Sequence, residues 1–413
     1  MSLYDKASIA LIPSGFKATT GNLGKVYSVL PANGDGDFTH SRGSIATRVN
    51  KDGLIKSVAI GEARLDYPLT NGLVGDCPHL LLEPQRTNIA LYSEDFTNSA
   101  WIKTRSTITG NQAVSPDGSV TADKITGTGT GTSYFYDGFS VTSGTVYTIS
   151  IFAKKINVNN FYINNFTQSG SITFDLSDGT IDTSASGTFS GGKIQNYGND
   201  WYRLSVQYTA SATATVNIGF YGQNSALDAA YVWGAQIETG SYVTSYIPNL
   251  TTGSTSRSAD LCNSAGTSAQ VNNDAGAFFV EIQALEEGSS ASRRVTLSDE
   301  STNNRLLIET DESTGVFKFF IAGGGTVRSI ATSYSNTQTD MNKLAIGYDG
   351  VNAKAYINGT QVGSITDATT RTGMDTVDIA DWNGTSNVYY GRVKQIIVFN
   401  EALSDSELAT LTS

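Results

Sequence analysis

The stretch that decides the fold is Ala353-Lys354-Ala355-Tyr356-Ile357-Asn358-Gly359-Thr360-Gln361-Val362. Two alternating runs flank an Asn-Gly pair, which tolerates the positive φ angles of a two-residue hairpin loop. The stretch predicts a β-hairpin whose register is set by its turn. Outward from it the same chemistry recurs, with Asp-Gly at Asp35, Asp52, Asp117, Asp137, Asp178 and Asp349 and Asn-Gly at Asn71 and Asn383. Short alternating runs lie between these pairs, the pattern of sheets with one buried face. Downstream, GRVKQIIVFNEALSDSELATLTS predicts a strand over 393–399 and then a turn or two of helix, opened by Ser404 and Glu407 as a capping box.

The composition agrees. Over 413 residues there are 42 Gly, 20 Tyr and 17 Phe, and only 16% of residues are charged. That favours strands and tight turns over helices, whose exposed faces need charged helix formers. The fold class is all-β, and the length suits two or three domains. A net charge of −11, with no Lys/Arg cluster to track phosphates, argues against nucleic acid as a partner. No apolar run approaches the roughly 18 residues of a membrane span, so no membrane insertion is expected. MSLYDKASIALIPSG lacks the basic start and long apolar core of a signal peptide, so the chain is expected to be made in a cytoplasm and not exported by the usual route. Cys77 and Cys262 are too few for a disulfide framework and read as free thiols partly buried in cores.

Three regions separate. Residues 1–87 form a small N-terminal β-rich region carrying the runs GSIATRVNKDGLIKSVAIGEARLDYP and HLLLEPQRTN. Residues 88–248 form a first β-sandwich (jelly-roll) domain. The polar NLTTGSTSRSAD opens a linker and first-strand region over 249–275, and 276–413 form a second sandwich. In GTVYTISIFAKK, Val146, Thr148, Ser150 and Phe152 share one side and Tyr147, Ile149 and Ile151 the other. Both sides are partly apolar, as in a central strand of a two-sheet sandwich.

Catalytic chemistry finds little support. The histidines, His40 and His79, both fall in the N-terminal region, and there is no G-x-S-x-G elbow. A glycosidase needs two placed carboxylates. Glu281, Asp299 and Glu300 do not stand in an E-x-D-x-x-E spacing along one strand, and Glu286-Glu287 beside Gly288 reads as a solvated loop. No catalytic residue is assigned. The lack of Cys/His clusters excludes zinc.

The hairpin YINGTQVGSI, followed by GRVKQIIVFNEALSDSELATL, resembles the end of laminin-G or concanavalin A-like lectin/glucanase domains. The middle stretches LYSEDFTNSAWIK, SPDGSVTADKI, NDWYRLSVQY and VWGAQIETGSYVTSYIP resemble the galactose-binding-like jelly rolls of virion proteins. Ahead of them, RGSIATRVNKDGLIKSV, ARLDYP and LLLEPQRTN resemble bacteriophage head-spike, fibre and tail-associated proteins. Together the resemblance implies a structural virion protein, assembled in the bacterial cytoplasm and displayed on the virion surface. It gives residues 1–87 a role in virion attachment or oligomerisation. Its partners would be other capsid or tail proteins, sister subunits in a homotrimer, and host cell-surface glycan. It implies no cofactor, although related sandwiches often hold a structural Ca²⁺. Asn33-Gly34-Asp35-Gly36-Asp37 has the alternating oxygens of such a loop, and hairpin-turn chemistry accounts for the same residues.

Glycans are held by stacking on aromatic rings, with polar side chains taking the hydroxyls. The candidate rings at loop positions are Tyr134, Tyr136, Tyr221, Trp382 and Tyr389, and the candidate hydrogen-bonding groups are Asp137, Asn224, Asp381 and Asn383. Trp382, beside its Asn-Gly turn, leads the set. Trp101, Trp201 and Trp233 read as core. Arg48 and Arg86 are candidates for attachment to a capsid or a sister subunit, or else for pairing with Asp66 or Glu83.

Overall fold

The computed structural model describes residues 3–13, 23–129, 131–286, 292–311, 314–335, 337–367 and 369–413, leaving aside the side chains of 332–335. Glu287 and Gly288 lie outside the described residues. Among those described, no helix is long and apolar enough to cross a membrane.

The middle of the chain is a sandwich of two six-stranded antiparallel sheets. One sheet runs in the order Ile102–Thr104, Ser133–Val141, Ala214–Gln223, Asn160–Asn165, Gly170–Asp175 and Thr180–Gly187; the other runs Ser106–Ala113, Ala122–Gly127, Ala229–Thr239, Val146–Lys155, Trp201–Thr209 and Phe189–Asn196. Alternation along each strand sends Phe135, Ile149, Leu204 and Phe220 inward to one shared core. Val146–Lys155 is paired on both sides, the central position its two apolar faces predict. Trp101, Trp201 and Trp233 are all buried, as expected.

The C-terminal sandwich packs an eight-stranded sheet on a five-stranded one. The hairpin closes as read, with Asn358 at φ 45° and Gly359 at φ 83° and Ile357 opposite Thr360. Ser404 and Glu407 form the capping box of the helix Asp405–Thr412. That helix lays Leu408 and Leu411 on the outer face of the larger sheet against Ala277, Phe279 and Ala345.

The N-terminal residues are woven into this second sandwich. The strand Gly391–Phe399 has Gly276–Ala284 on one side. Its other side is shared between Ala7–Leu11, opposite residues 396–399, and His79–Leu82, opposite residues 391–393. Ile9, Leu11, Val26, Phe38, Leu80 and Leu82 accordingly sit in the same core as Phe278, Val280 and Ile396. Cys262 is buried there, whereas Cys77 is exposed, which corrects its expected place in a core; both thiols are free.

A buried charge network joins the two sandwiches. Arg64 contacts Glu83 at 2.5 Å and also bonds Asp260. Arg257 contacts Glu83 at 2.8 Å and Arg42 contacts Asp260 at 3.0 Å. Ser245, at the close of the jelly roll, donates its N–H and hydroxyl to Glu83 at 2.8 and 2.7 Å. Burial pushes the Glu83 carboxyl up, but Arg257 and Arg64 outweigh it and hold the group down at about 2. The motif-like runs read in the sequence supply these residues. The polar stretch that reads as a linker contributes Arg257 and Asp260, and its strand Thr255–Arg257 pairs with Arg86–Asn88.

Candidate functional site

In the strand Ser133–Val141, Phe135 and Phe139 face the core, so Tyr134 and Tyr136 face outward. They are not in a loop, as the sequence suggests, because the Asp137-Gly138 pair lies mid-strand, held opposite Ile218 and Asn217. Phe166, just past the strand Asn160–Asn165, folds over the same face. Its ring centroid lies 4.7 Å from Tyr134 and 6.1 Å from Tyr136, and the two tyrosines are 5.9 Å apart. Beneath Phe166 is Gly219, where an added Cβ would meet the ring at 2.3 Å. Only glycine lets the ring lie on the sheet.

Backbone N–H groups, donating to one carbonyl and to the Thr167 and Asn165 side chains, fix the turn that carries Phe166. Its N–H donates to the Asn217 carbonyl at 3.0 Å, the Asn217 N–H donates to Thr167 Oγ1 at 2.9 Å, and Asn165 Oδ1 accepts the N–H groups of Thr167 and Gln168 at 3.1 and 2.9 Å. The ring is still 46% exposed, and Ile102, opposite Tyr136 in the neighbouring strand, is 48% exposed. Asn217 and Asn164 share the face with Gly219 by register. Asn224 lies just beyond the strand Ala214–Gln223, accepting the Thr132 hydroxyl at 3.0 Å. The result is a ledge in which exposed Phe166 lies against the half-buried Tyr134 and Tyr136, edged by amides. Phe166 was missed because nothing local pairs it with Gly219; the one clue was a lone aromatic in the polar turn Asn164-Asn165-Phe166-Thr167-Gln168.

Other expected site residues lie elsewhere. Tyr221 is fully buried in the jelly-roll core, at a bulge with φ 98°. Asp137 takes the inward parity of Phe135 and Phe139, and burial raises its carboxyl pKa. Tyr389 is 1% exposed, within the C-terminal core. Trp382 is half-buried in its loop with the Arg305 guanidinium 4.6 Å from its ring centre and that of Arg294 at 5.7 Å. Cations therefore already occupy the π-system a sugar would need. Asp381 is buried and accepts the Asn387 amide at 3.2 Å. Asn383 Oδ1 caps its own turn, accepting the N–H groups of Thr385 and Ser386, both at 3.0 Å. These two side chains build the loop.

The alternative pairings of Arg48 and Arg86 also differ from expectation. Arg48 donates to the Leu65 carbonyl at 2.6 Å, and Arg86 lies 3.7 Å from Glu238. Asp66 and Glu83 are taken by other arginines. In the Asn33–Asp37 turn, Asp35 Oδ2 accepts the Asn33 amide at 2.7 Å and Asp37 Oδ1 accepts the Ser28 N–H at 2.8 Å. One oxygen of each carboxylate thus holds the turn, the hairpin-turn chemistry that accounts for these residues. Among the described residues no group of three or more His, Cys, Asp and Glu gathers as a metal would require. Glu281 lies buried between Lys394 at 2.8 Å and Gln395 at 2.9 Å, and Glu286 accepts the Ser241 hydroxyl at 2.6 Å.

The C-terminal sandwich is a lectin-like fold, and residues 263–409 match the family model Laminin_G_3 of the concanavalin A-like lectin/glucanases superfamily. No curated protein matches the chain in sequence. Among solved structures it is similar to the CBM40 of the Ruminococcus gnavus IT-sialidase bound to alpha2,3 sialyllactose, at 12% identity and TM-score 0.30 over 37% of this chain and 94% of that one. Domain 4 of AbnA, a GH43 extracellular arabinanase from Geobacillus stearothermophilus, in complex with arabinotriose, aligns at 14% identity and TM-score 0.32, over 42% and 84%. A native heptameric SAP-like pentraxin from Limulus polyphemus aligns at 13% and 0.27, over 37% and 72%.

Proposed function

We propose that this chain is a bacteriophage virion surface protein, of the head or tail fibre and spike class, that adheres to host glycan through the Tyr134–Tyr136–Phe166 face. The observation that carries the glycan half is the outward-facing aromatic ledge itself, with Phe166 and Ile102 exposed on it. Contiguous exposed apolar surface on a folded domain marks an interaction site, and rings edged by amides suit a sugar's apolar face and its hydroxyls. The virion half is supported by the order of the motif runs from residue 42 to 248, ahead of a lectin-family segment.

Function would follow from avidity. A site with an affinity near 1 mM contributes only about 4 kcal/mol, but linked copies in a homotrimer gain on the order of 10²–10⁴. The test is a glycan array on the full chain, repeated with Tyr136→Ala. Binding of host surface glycan by the wild type and its loss in the variant is the expected result. Binding unaltered by the variant would remove the ledge from the reading. Locating the chain at a buried, interlocking position in an assembled particle would instead favour a capsid decoration role.

A further inference from the structure

We infer that the cleft between the two sandwiches is a second binding site, for a glycan whose residues bear carboxylates. The cleft measures about 270 Å³, close to the lower end of ligand cavities, roughly 300 Å³. It lies on the outer face of the jelly roll's second sheet, whereas the aromatic ledge belongs to the first. The two sites therefore use opposite faces of one domain.

The charges lining the cleft select for an anion. The cleft is lined by Arg48, Lys193, Arg203 and Arg392 together with the carboxylates Asp66 and Glu83. Both carboxylates are engaged, Asp66 with Arg392 at 3.0 Å and Glu83 with Arg64 and Arg257. That leaves Arg48, Lys193 and Arg203, none of which has an ion-pair partner among the described residues. Arg203 is 3% exposed; it bonds two neutral oxygens, the Thr244 carbonyl at 2.7 Å and Ser150 Oγ at 3.2 Å, and lies over the Phe152 ring at 5.2 Å, with no carboxylate of the described residues in contact. Arg48 likewise bonds a carbonyl, and the Nε atoms of both are buried without a partner. Uncompensated cations beside low-dielectric protein are costly. Arg48 and Arg203 bring such charge to the wall of this cleft, with Lys193 exposed beside them, and an anion from outside would offset it.

The other lining side chains favour a sugar acid over a simple inorganic anion. Tyr67 and Tyr197 line the same space and offer apolar ring surface. Gln195, exposed at the rim, offers an amide for hydroxyls. Lys193, Gln195, Arg203 and Val243 also line an adjoining hollow of about 450 Å³. The site thus extends beyond a single residue, as an oligosaccharide would require.

The experiment is calorimetric titration of the full chain with trigalacturonate, with a neutral trisaccharide as control, in low and high NaCl. Trigalacturonate is expected to bind with an affinity that falls as salt rises, and to weaken about tenfold (about 1.4 kcal/mol) in Lys193→Gln and in Arg48→Gln. Lys193 is exposed, so Lys193→Gln keeps the test decisive if Arg48→Gln fails to fold. Three results overturn the inference: no trigalacturonate binding, binding unaltered in Lys193→Gln, or a loss that appears in Tyr136→Ala instead. Each leaves the ledge to its own test with neutral glycans.

Discussion

The ring of Phe166 rests on the backbone of Gly219, so a substitution on one strand controls a side chain contributed by a turn 53 residues earlier in the chain. Gly219→Ala is expected to lift the ring and reduce glycan affinity as much as Phe166→Ala does, about tenfold, or roughly 1.4 kcal/mol. Because the displaced ring is at the surface, the melting temperature should move little. Isothermal titration with an array-selected glycan checks the first part and calorimetry the second.

Glu83 stands between Arg64 and Arg257 with its side chain 3% exposed. Replacing it by Gln leaves two buried guanidiniums short of counter-charge, at an expected cost of about 3–5 kcal/mol at pH 7. The folded carboxyl is held at about 2, below its ordinary value of 4.5, so its contribution is present above pH 4.5 and lost as pH falls toward 2. Urea titrations of both proteins at pH 7 and pH 3 should therefore show the gap narrowing in acid.

Asp378 behaves oppositely. Burial raises its carboxyl to about 6 from 3.8, against the opposing bond from the Ser264 N–H. The folded state then holds the proton more tightly than the unfolded chain, and stability is lost as pH rises from about 4 to 6. Asp378→Asn keeps an acceptor for the Ser264 N–H, 2.8 Å away in the wild type. It should stabilise the protein by roughly 2–3 kcal/mol above pH 6, with little effect at pH 4. Thermal unfolding of both proteins across this range measures it.

Trp382→Ala should cost stability without costing adhesion. The stacked guanidiniums of Arg305 and Arg294 account for about 0.5–1 kcal/mol each at such a half-exposed site. Glycan affinity should match the wild type within error. A tenfold loss of affinity with an unchanged melting temperature would restore Trp382 to the binding surface.

What was legible in the sequence was local. The Asn358-Gly359 turn, the Ser404–Glu407 cap and the two-faced strand around Ile149 depend on neighbours within a few residues, and each stands where its pattern put it. Tyr134 and Tyr136 stand on a sheet face and not in the loop the sequence suggests, because Asp137-Gly138 imitates a turn. Tyr221 and Tyr389 were misplaced because a polar neighbour says little about what a distant strand covers. Phe166 depends on Gly219, and Arg64 on Asp260, across separations that no spacing rule spans. Trp382 has the exposure its turn suggests, but Arg294 and Arg305 arrive from another pair of strands.

The pairing of Ala7–Leu11 with Gly391–Phe399 also sets an order of assembly. The early strand leaves the ribosome hundreds of residues before its partner exists, a delay on the order of tens of seconds at ordinary rates of synthesis. The jelly roll, complete by residue 248, can fold during that wait, whereas the lectin-like sandwich closes only once its final strand emerges. Expressed alone, residues 263–409 would present Gly391–Phe399 as a bare apolar edge prone to self-association. A soluble lectin fragment of this protein therefore has to bring residues 7–82 with it.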